Sequence, residues 1–185
     1  MIRYAIVINE ETGLCNVGTG TNDKYYESIG MTLQDVELSD VDNYWYLADK
    51  CPHKPEEQVL QEAKQAKANE ANVKAYEYIN SGDALYEFEE GKHIEATDGN
   101  IGKFTAYALA YVTGQLQPTD TVVWNTKEDE TVELSQEQVS IILNGLGVVQ
   151  AIIWTVQYPA YLTQIEDAET VEEVEAIVIE YSTGE

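Results

Sequence analysis

The 185-residue chain has 44% apolar residues and a formal net charge of −24, with 34 acidic against 10 basic residues. This composition is typical of a globular protein with one ordinary domain or two small ones. The acidity argues against nucleic acid and anionic membranes as partners, because affinity for both depends on Lys and Arg near phosphates. Such charge commonly serves solubility, and it is also compatible with cationic ligands or basic protein surfaces.

The N-terminal sequence predicts a protein that is made in the cytoplasm and not secreted. The stretch "MIRYAIVINEETG" lacks a basic region followed by a long apolar segment. The longest apolar region, "VSIILNGLGVVQAIIWTV", is interrupted by Asn144 and Gln150 and contains two glycines, which argues against a membrane span. Without an export signal, we expect no structural disulfide between Cys15 and Cys51.

Residues 1–52 are predicted to form a small β-rich leader module. Tyr4–Ile8 is apolar and β-branched, Asn9–Gly13 has the composition of a turn, and "LCNVG" fits a returning strand. After a polar loop, Tyr44–Leu47 alternates as a third strand. The glycines of "GLCNVGTGTND" precede no predicted helix, so we expect no phosphate-binding loop there.

The segment "DKCPHKPEE" is interpreted as a hinge between this module and a helix. Cys51 and His53 are possible metal ligands, but they lack the two close pairs that form a structural zinc site. A Cys–His nucleophile would also need a third group behind the base, and the sequence shows none. We therefore expect no metal and no reactive thiol here.

Residues 53–80 are predicted to be a linker and a helix. Pro55 suits the first helical position, and Glu56 and Glu57 fall where the helix dipole favours acids. The sequence that follows has no Gly up to "NSGD" and is rich in good helix formers. Its thin apolar stripe suits one-sided packing or a weak coiled coil. The stripe consists of Val59, Ala63, Ala66, Val73 and Tyr76.

Residues 81–185 are predicted to form a domain of two β-hairpins packed with a long helix and shorter helices. The stretches "ALYEFEEGKHIEAT" and "TVVWNTKEDETVEL" each have the composition of a hairpin. Between them, Asp98 is expected to cap a helix with one apolar face. That face consists of Phe104, Tyr107, Ala108, Tyr111 and Val112. The predicted fold class is α+β.

The long helix is predicted to begin with a capping box of Ser135 and Gln138 and to be kinked or ended by Pro159. Its apolar residues repeat at alternating steps of three and four, as in a heptad seam. The seam consists of Val139, Ile142, Leu146, Val149, Ile153, Val156 and Ala160. A second capping box, of Thr170 and Glu173, is predicted to open a last helix. Its inner face is Val171, Val174 and Ile177.

Motifs of catalysis are missing from the sequence. It has no G-x-S-x-G elbow, no H-E-x-x-H and no phosphate-binding glycine loop. A carboxylate pair for glycoside hydrolysis cannot be selected among 34 acids. The 13 tyrosines suit interfaces and sugar faces, or simply sheet faces and helix margins. The sequence predicts a protein that is not an enzyme and has no cofactor.

From Asn72 onward the order of elements resembles the domain of unknown function near the C-termini of bacteriophage tail and tail-fibre proteins. The resemblance is carried by "KAYEYINSGD", "GKHIEATDGNIGKF", "TVVWNTKEDETVELSQEQ" and "LTQIEDAETVEEVEAI". It departs from that pattern at "GLG" and at Pro159 in the long helix. The first 50 residues resemble, more loosely, small leader modules of tail proteins, through "YAIV", "NVG" and "WYL".

The resemblance implies a structural component of a phage tail or tail-like particle, in the fibre or baseplate region. Its partners would be other tail or fibre proteins, itself as a homo-oligomer with a trimer favoured, and possible host surface glycans. The alternatives are a tail-fibre assembly chaperone and a carbohydrate-binding adhesin. The candidate oligomer-interface residues are Val59, Ala66, Val73, Tyr76, Val139, Ile142, Leu146, Val149, Ile153 and Val156. Alternatively, the second seam packs inside its own domain.

Overall fold

The computed structural model describes residues 1–183 and shows two compact units, Met1–Val59 and a second that begins at Leu60. Helices make up 48% and strands 21% of the chain. Strands come first, and helices with two further hairpins follow. The predicted α+β class is confirmed.

The N-terminal unit is a closed four-stranded antiparallel barrel in the order β1-β2-β4-β3. The strands are β1 (Ile2–Asn9), β2 (Leu14–Val17), β3 (Thr32–Leu38) and β4 (Trp45–Leu47). The small core consists of Ala5, Cys15, Val17 and Val36, with Val7, Trp45 and Leu47 against it. The strands predicted at Tyr4–Ile8 and Tyr44–Leu47 are confirmed as β1 and β4, whereas β3 was missed.

A short helix, α1 (Asp23–Ser28), lies where the sequence predicts a polar loop. Asn22 caps it by accepting a hydrogen bond from the Tyr25 N–H. The Tyr26 ring packs on the glycine loop, where a Cβ on Gly18 would stand 2.7 Å from Tyr26 Cε1. The Gly20 N–H donates to the Tyr26 hydroxyl at 2.6 Å. The glycines of this loop therefore make room for an aromatic ring.

The 26-residue helix α2 (Glu56–Ser81) begins directly after Pro55, as predicted. Its buried face consists of Ala71, Ala75 and Ile79, which pack with Ile153, Ile179 and Tyr181. The Tyr181 hydroxyl donates to the Ala71 carbonyl at 2.9 Å, a close approach that small side chains on α2 permit. None of the five residues of the predicted stripe belongs to this buried face, so its use as a partner-binding surface stays a prediction.

The larger core of the second unit lies among two hairpins and two helices. These elements are β5 (Leu85–Glu89), β6 (Lys92–Glu95), α3 (Asp98–Val112), β7 (Val122–Asn125) and β8 (Thr131–Leu134), followed by α4 (Gln136–Ala151). Both predicted hairpins are confirmed. Phe104 and Tyr111 of α3 are buried as predicted, but Val112 is 80% exposed. Thr97, rather than Asp98, caps α3.

The turn of the second hairpin is bonded to the first hairpin. The Glu128 carboxylate accepts from the His93 backbone N–H at 3.0 Å and contacts His93 Nδ1 at 2.8 Å. The Lys127 N–H donates to the His93 carbonyl, and Lys127 Nζ lies 2.8 Å from the Glu95 carboxylate. These bonds join two two-stranded sheets that share no ladder.

The long helical stretch continues past Pro159 without ending. A π-helical segment, Ile152–Gln157, separates α4 from α5 (Tyr158–Asp167). The Tyr158 N–H bonds to the Ile153 carbonyl, five residues back. This wider turn accommodates Pro159, which lacks an N–H, in the first turn of α5.

The stretch Gln136–Asp167 is long and apolar enough to cross a membrane, judged by length and composition only. Within its most apolar part, 33% is buried inside the chain. The sequence argument against a membrane span stays a prediction.

The last helix, α6 (Val171–Ala176), is capped by Thr170, which accepts from the Glu173 N–H. The Glu173 carboxylate accepts from the Glu169 N–H at 2.7 Å, one residue before the position in a standard capping box. Val174 is buried, and Val171 and Ile177 are half-buried, so the predicted inner face is confirmed.

Candidate functional site

The segment after β4 lies against the end of β3 and brings a cysteine and a histidine to an acidic strand end. Cys51 has extended backbone angles, so its side chain and that of His53 project to the same side. Glu37 is in β3, and Asp40 follows two residues after that strand ends. The closed barrel thus joins residues that are 11 to 16 positions apart in sequence.

The ligand atoms of Glu37, Cys51 and His53 all lie within 4.8 Å of one another. Among residues 1–183, this is the group of Cys, His and carboxylate side chains close enough to hold a metal ion. His53 Nε2 lies 3.8 Å from Glu37 Oε2, and its Nδ1 lies 3.7 Å from Asp40 Oδ1. The imidazole therefore stands between two carboxylates.

The loop that carries Asp40 is tied to the segment that carries Cys51. Ser39 is 1% exposed, and its hydroxyl donates to the Pro52 carbonyl at 2.9 Å and accepts from the Val41 N–H at 3.1 Å. Asp40 Oδ1 accepts from the Lys54 N–H at 2.9 Å. These bonds fix the spacing between the two segments, so the backbone that carries Asp40 is held beside the backbone that carries Cys51.

Negative charge dominates the surroundings of the thiol. Partial burial, followed by the nearby carboxylates of Glu37 and Asp40, raises the pKa of Cys51. Asp42, in the same loop, accepts a hydrogen bond from the Tyr46 hydroxyl at 2.7 Å, and this bond lowers the pKa of Asp42. The hydrogen bond therefore favours the ionised form of Asp42, and the acidic side chains around the thiol present a surface that attracts cations.

The predicted seam in the long helix lies mainly in the core of the second unit. Its five core residues are Val139, Ile142, Leu146, Val149 and Ile153, each at most 7% exposed. These five side chains are buried within the chain and cannot contact a second copy. They agree with the alternative in which the seam packs inside its own domain. Val156 differs, because it is 61% exposed.

The candidate interface residues on α2 lie at its surface. Val73 and Tyr76 are 52% and 57% exposed, Ala66 is exposed, and Val59 is half-buried. These side chains lie outside the buried face of α2, so they remain candidates for contact with a partner.

Sequence reasoning missed Glu37 and Asp40 and separated Cys51 and His53 from any third ligand. The signal that could have found them is the weak alternation of "TLQDVEL", in which only Val36 is fully buried. Recognising that strand would have placed its acidic end beside the strand "WYL" and the cysteine that follows.

Comparisons with protein-family models, with curated proteins and with solved structures found no match to this chain.

Proposed function

We propose that this chain is a non-enzymatic structural component of a phage tail or phage-tail-like particle, in the fibre or baseplate region. It would associate with itself and attach to a neighbouring tail component. The element order of the second unit supports this proposal, since it follows the order on which the sequence resemblance rests. The observation that carries the proposal is the exposed apolar face of α2.

This helix has two apolar faces with different roles. Ala75 lies at the centre of the buried face, flanked by Ala71 and Ile79 one turn away on either side. At 100° per residue, Ala66 and Val73 lie about 160–180° around the helix from Ala75. Tyr76 lies about 100° from it, at the margin of the outer face. One face thus belongs to the core, and the other is free to pack on a partner helix.

The charge of α2 favours contact here over contact elsewhere on an acidic protein. The helix has three lysines and five glutamates, a net charge of −2 over 26 residues, whereas the other 159 residues of the chain carry −22. Lys67 and Lys74 both pair with Glu70, at 3.0 and 2.9 Å. Two copies that approach through α2 therefore meet less repulsion than copies that approach through most other surfaces. Added salt screens the remaining repulsion.

The experiment is mass photometry of the untagged chain at low and at moderate salt. We expect a homo-oligomer, with a trimer favoured, whose population increases with salt. The double variant Val73→Ser/Tyr76→Ser should be monomeric, with unchanged far-UV circular dichroism. Val112→Ser is the control, because it removes a more exposed valine, on α3, and should leave the mass distribution unchanged. A wild-type chain that is monomeric at every salt concentration would refute self-association.

Placement in a particle is tested separately, by quantitative mass spectrometry of purified particles and of the lysate that produced them. A fixed copy number per particle is the expected result. A chain that is abundant in the lysate but missing from the particles would instead be a fibre-assembly chaperone. Selective binding to host cell-wall sugars on a glycan array would favour the adhesin alternative.

A further inference from the structure

Glu37, Cys51 and His53 have the chemistry and the spacing of metal ligands. We propose that these three residues bind a divalent transition-metal ion, with Zn²⁺ the best match, and that Asp40 is a positioning residue for His53. The site belongs to the N-terminal unit and uses none of the residues proposed for self-association.

The spacing of the ligand atoms fits a metal better than it fits direct hydrogen bonds. The Glu37–His53 separation of 3.8 Å exceeds the usual hydrogen-bond range of about 2.7–3.2 Å. Zinc binds nitrogen, oxygen and sulfur at about 2.0–2.3 Å, so tetrahedral ligands lie roughly 3.3–3.8 Å from one another. The three ligand atoms lie within 4.8 Å of one another, so a zinc ion would draw them together, with the nitrogen and oxygen closing to roughly 3.3–3.4 Å.

The ligand set also selects a class of metal. A thiolate and an imidazole favour Zn²⁺ and related transition metals, whereas Ca²⁺ and Mg²⁺ prefer sites made of oxygen alone. A Cys51 thiolate and the Glu37 carboxylate together balance the two positive charges of the ion. With three protein ligands, the fourth tetrahedral position is left to a water molecule.

Asp40 is placed to orient the imidazole. When Nε2 of His53 faces the metal beside Glu37, Nδ1 faces Asp40 Oδ1, 3.7 Å away. A histidine ligand commonly donates its other ring N–H to a carboxylate, which fixes the ring and increases its basicity. Asp40 is itself held by the Lys54 N–H, so a small movement of the ring completes this arrangement.

The test is titration of the untagged full-length chain with Zn²⁺ and with Co²⁺, in millimolar Mg²⁺ that occupies the many surface carboxylates. We expect one equivalent of tightly bound Zn²⁺ in competition with a chromogenic chelator. Co²⁺ should give a thiolate-to-cobalt charge-transfer band and the intense visible bands of a tetrahedral ion. Losing a ligand through Cys51→Ser or His53→Gln should weaken Zn²⁺ binding by about 100-fold or more, whereas Asp40→Asn should weaken it 10- to 100-fold.

The chain supplies its own matched controls, because it has two cysteines and two histidines. Cys15 is buried in the barrel core, and His93 is paired with Glu128 in the second unit. Cys15→Ala and His93→Gln should therefore retain the zinc affinity and the Co²⁺ spectrum. The Asp40→Asn variant should keep the charge-transfer band, since a positioning residue changes affinity and not the ligand set.

Two results would overturn the proposal. One is Zn²⁺ binding that the Cys51→Ser and His53→Gln variants leave unchanged, which would assign the ion to the general acidic surface. The other is a lack of stoichiometric Zn²⁺ binding by a chain whose circular dichroism shows that it is folded. In that case the four side chains form an ordinary exposed ion-pair cluster.

Discussion

Gly145 in α4 is expected to be intolerant of any side chain, although alanine is the better helix former. A Cβ at this position would stand 2.2 Å from Cζ of Tyr86 in β5. Gly147, two residues further along the same helix, has nothing within 4 Å of its own Cβ position. The pair separates the intrinsic effect of Gly→Ala from the effect of close packing, because the chemistry of the two substitutions is identical.

The magnitudes follow from these contacts. Replacing Gly by Ala inside a helix stabilises it by about 0.5–1 kcal/mol. At Gly145 the Tyr86 ring or the helix must also move by about 1 Å, and overpacking of this kind typically costs about 1–3 kcal/mol. We expect Gly147→Ala to raise the free energy of unfolding by about 0.5–1 kcal/mol. The free energy of unfolding of Gly145→Ala should be about 1–3 kcal/mol lower than that of Gly147→Ala.

Urea unfolding followed by far-UV circular dichroism measures this difference. The helical signal reports on the second unit, because most of the helical residues of the protein lie there. Adding Tyr86→Ala removes the obstacle, and in that background Gly145→Ala should stabilise the protein as Gly147→Ala does. The double-mutant cycle then gives a coupling energy of about 1–3 kcal/mol. If Gly145→Ala and Gly147→Ala stabilise the chain equally with Tyr86 intact, the packing argument is wrong.

The remaining predictions concern the hairpin turn and the start of α4. The hydrogen bond from the His93 backbone N–H lowers the pKa of Glu128 to about 2, so its stabilising effect is full above about pH 4.5 and is lost as the pH falls towards 2. Glu128→Gln should be less stable than wild type at neutral pH, with the two unfolding curves converging near pH 2, whereas Glu130→Gln should show no such convergence. Ser135→Ala removes the capping box and should lower the free energy of unfolding by about 1 kcal/mol. Ser140→Ala, in the helix interior, should change it by less than about 0.5 kcal/mol in the same urea titration.

The second unit was largely predictable because its signals are local. The capping box of Ser135 and Gln138 is present with both reciprocal bonds, and each hairpin lies where its turn composition indicated. The heptad steps correctly identified a buried face in α4. They could not determine what buries it, because a core inside one chain and an interface between chains produce the same apolar period.

In α2 the apolar pattern of the sequence does not identify the buried face. Ala71 and Ala75 contribute little hydrophobicity, and yet they are fully buried, since small side chains let Tyr181 approach the helix backbone. Val73 and Tyr76 are more apolar and lie outside. Closeness of approach, and not hydrophobicity alone, selects the packing face of this helix. That choice depends on residues more than 100 positions away.

The candidate metal site was unpredictable for a related reason. Local reasoning judged Cys51 and His53 by their spacing along the chain, and two residues of an extended segment cannot surround an ion. The ligand that makes the set plausible, Glu37, is contributed by a strand with one fully buried side chain and therefore almost no periodic signal. Its position becomes defined only when β3 pairs with both β1 and β4 and the barrel closes. A ligand set assembled by barrel closure should consequently be lost whenever the barrel opens, so Zn²⁺ would raise the free energy of unfolding of this unit by RT ln(1 + [Zn²⁺]/Kd).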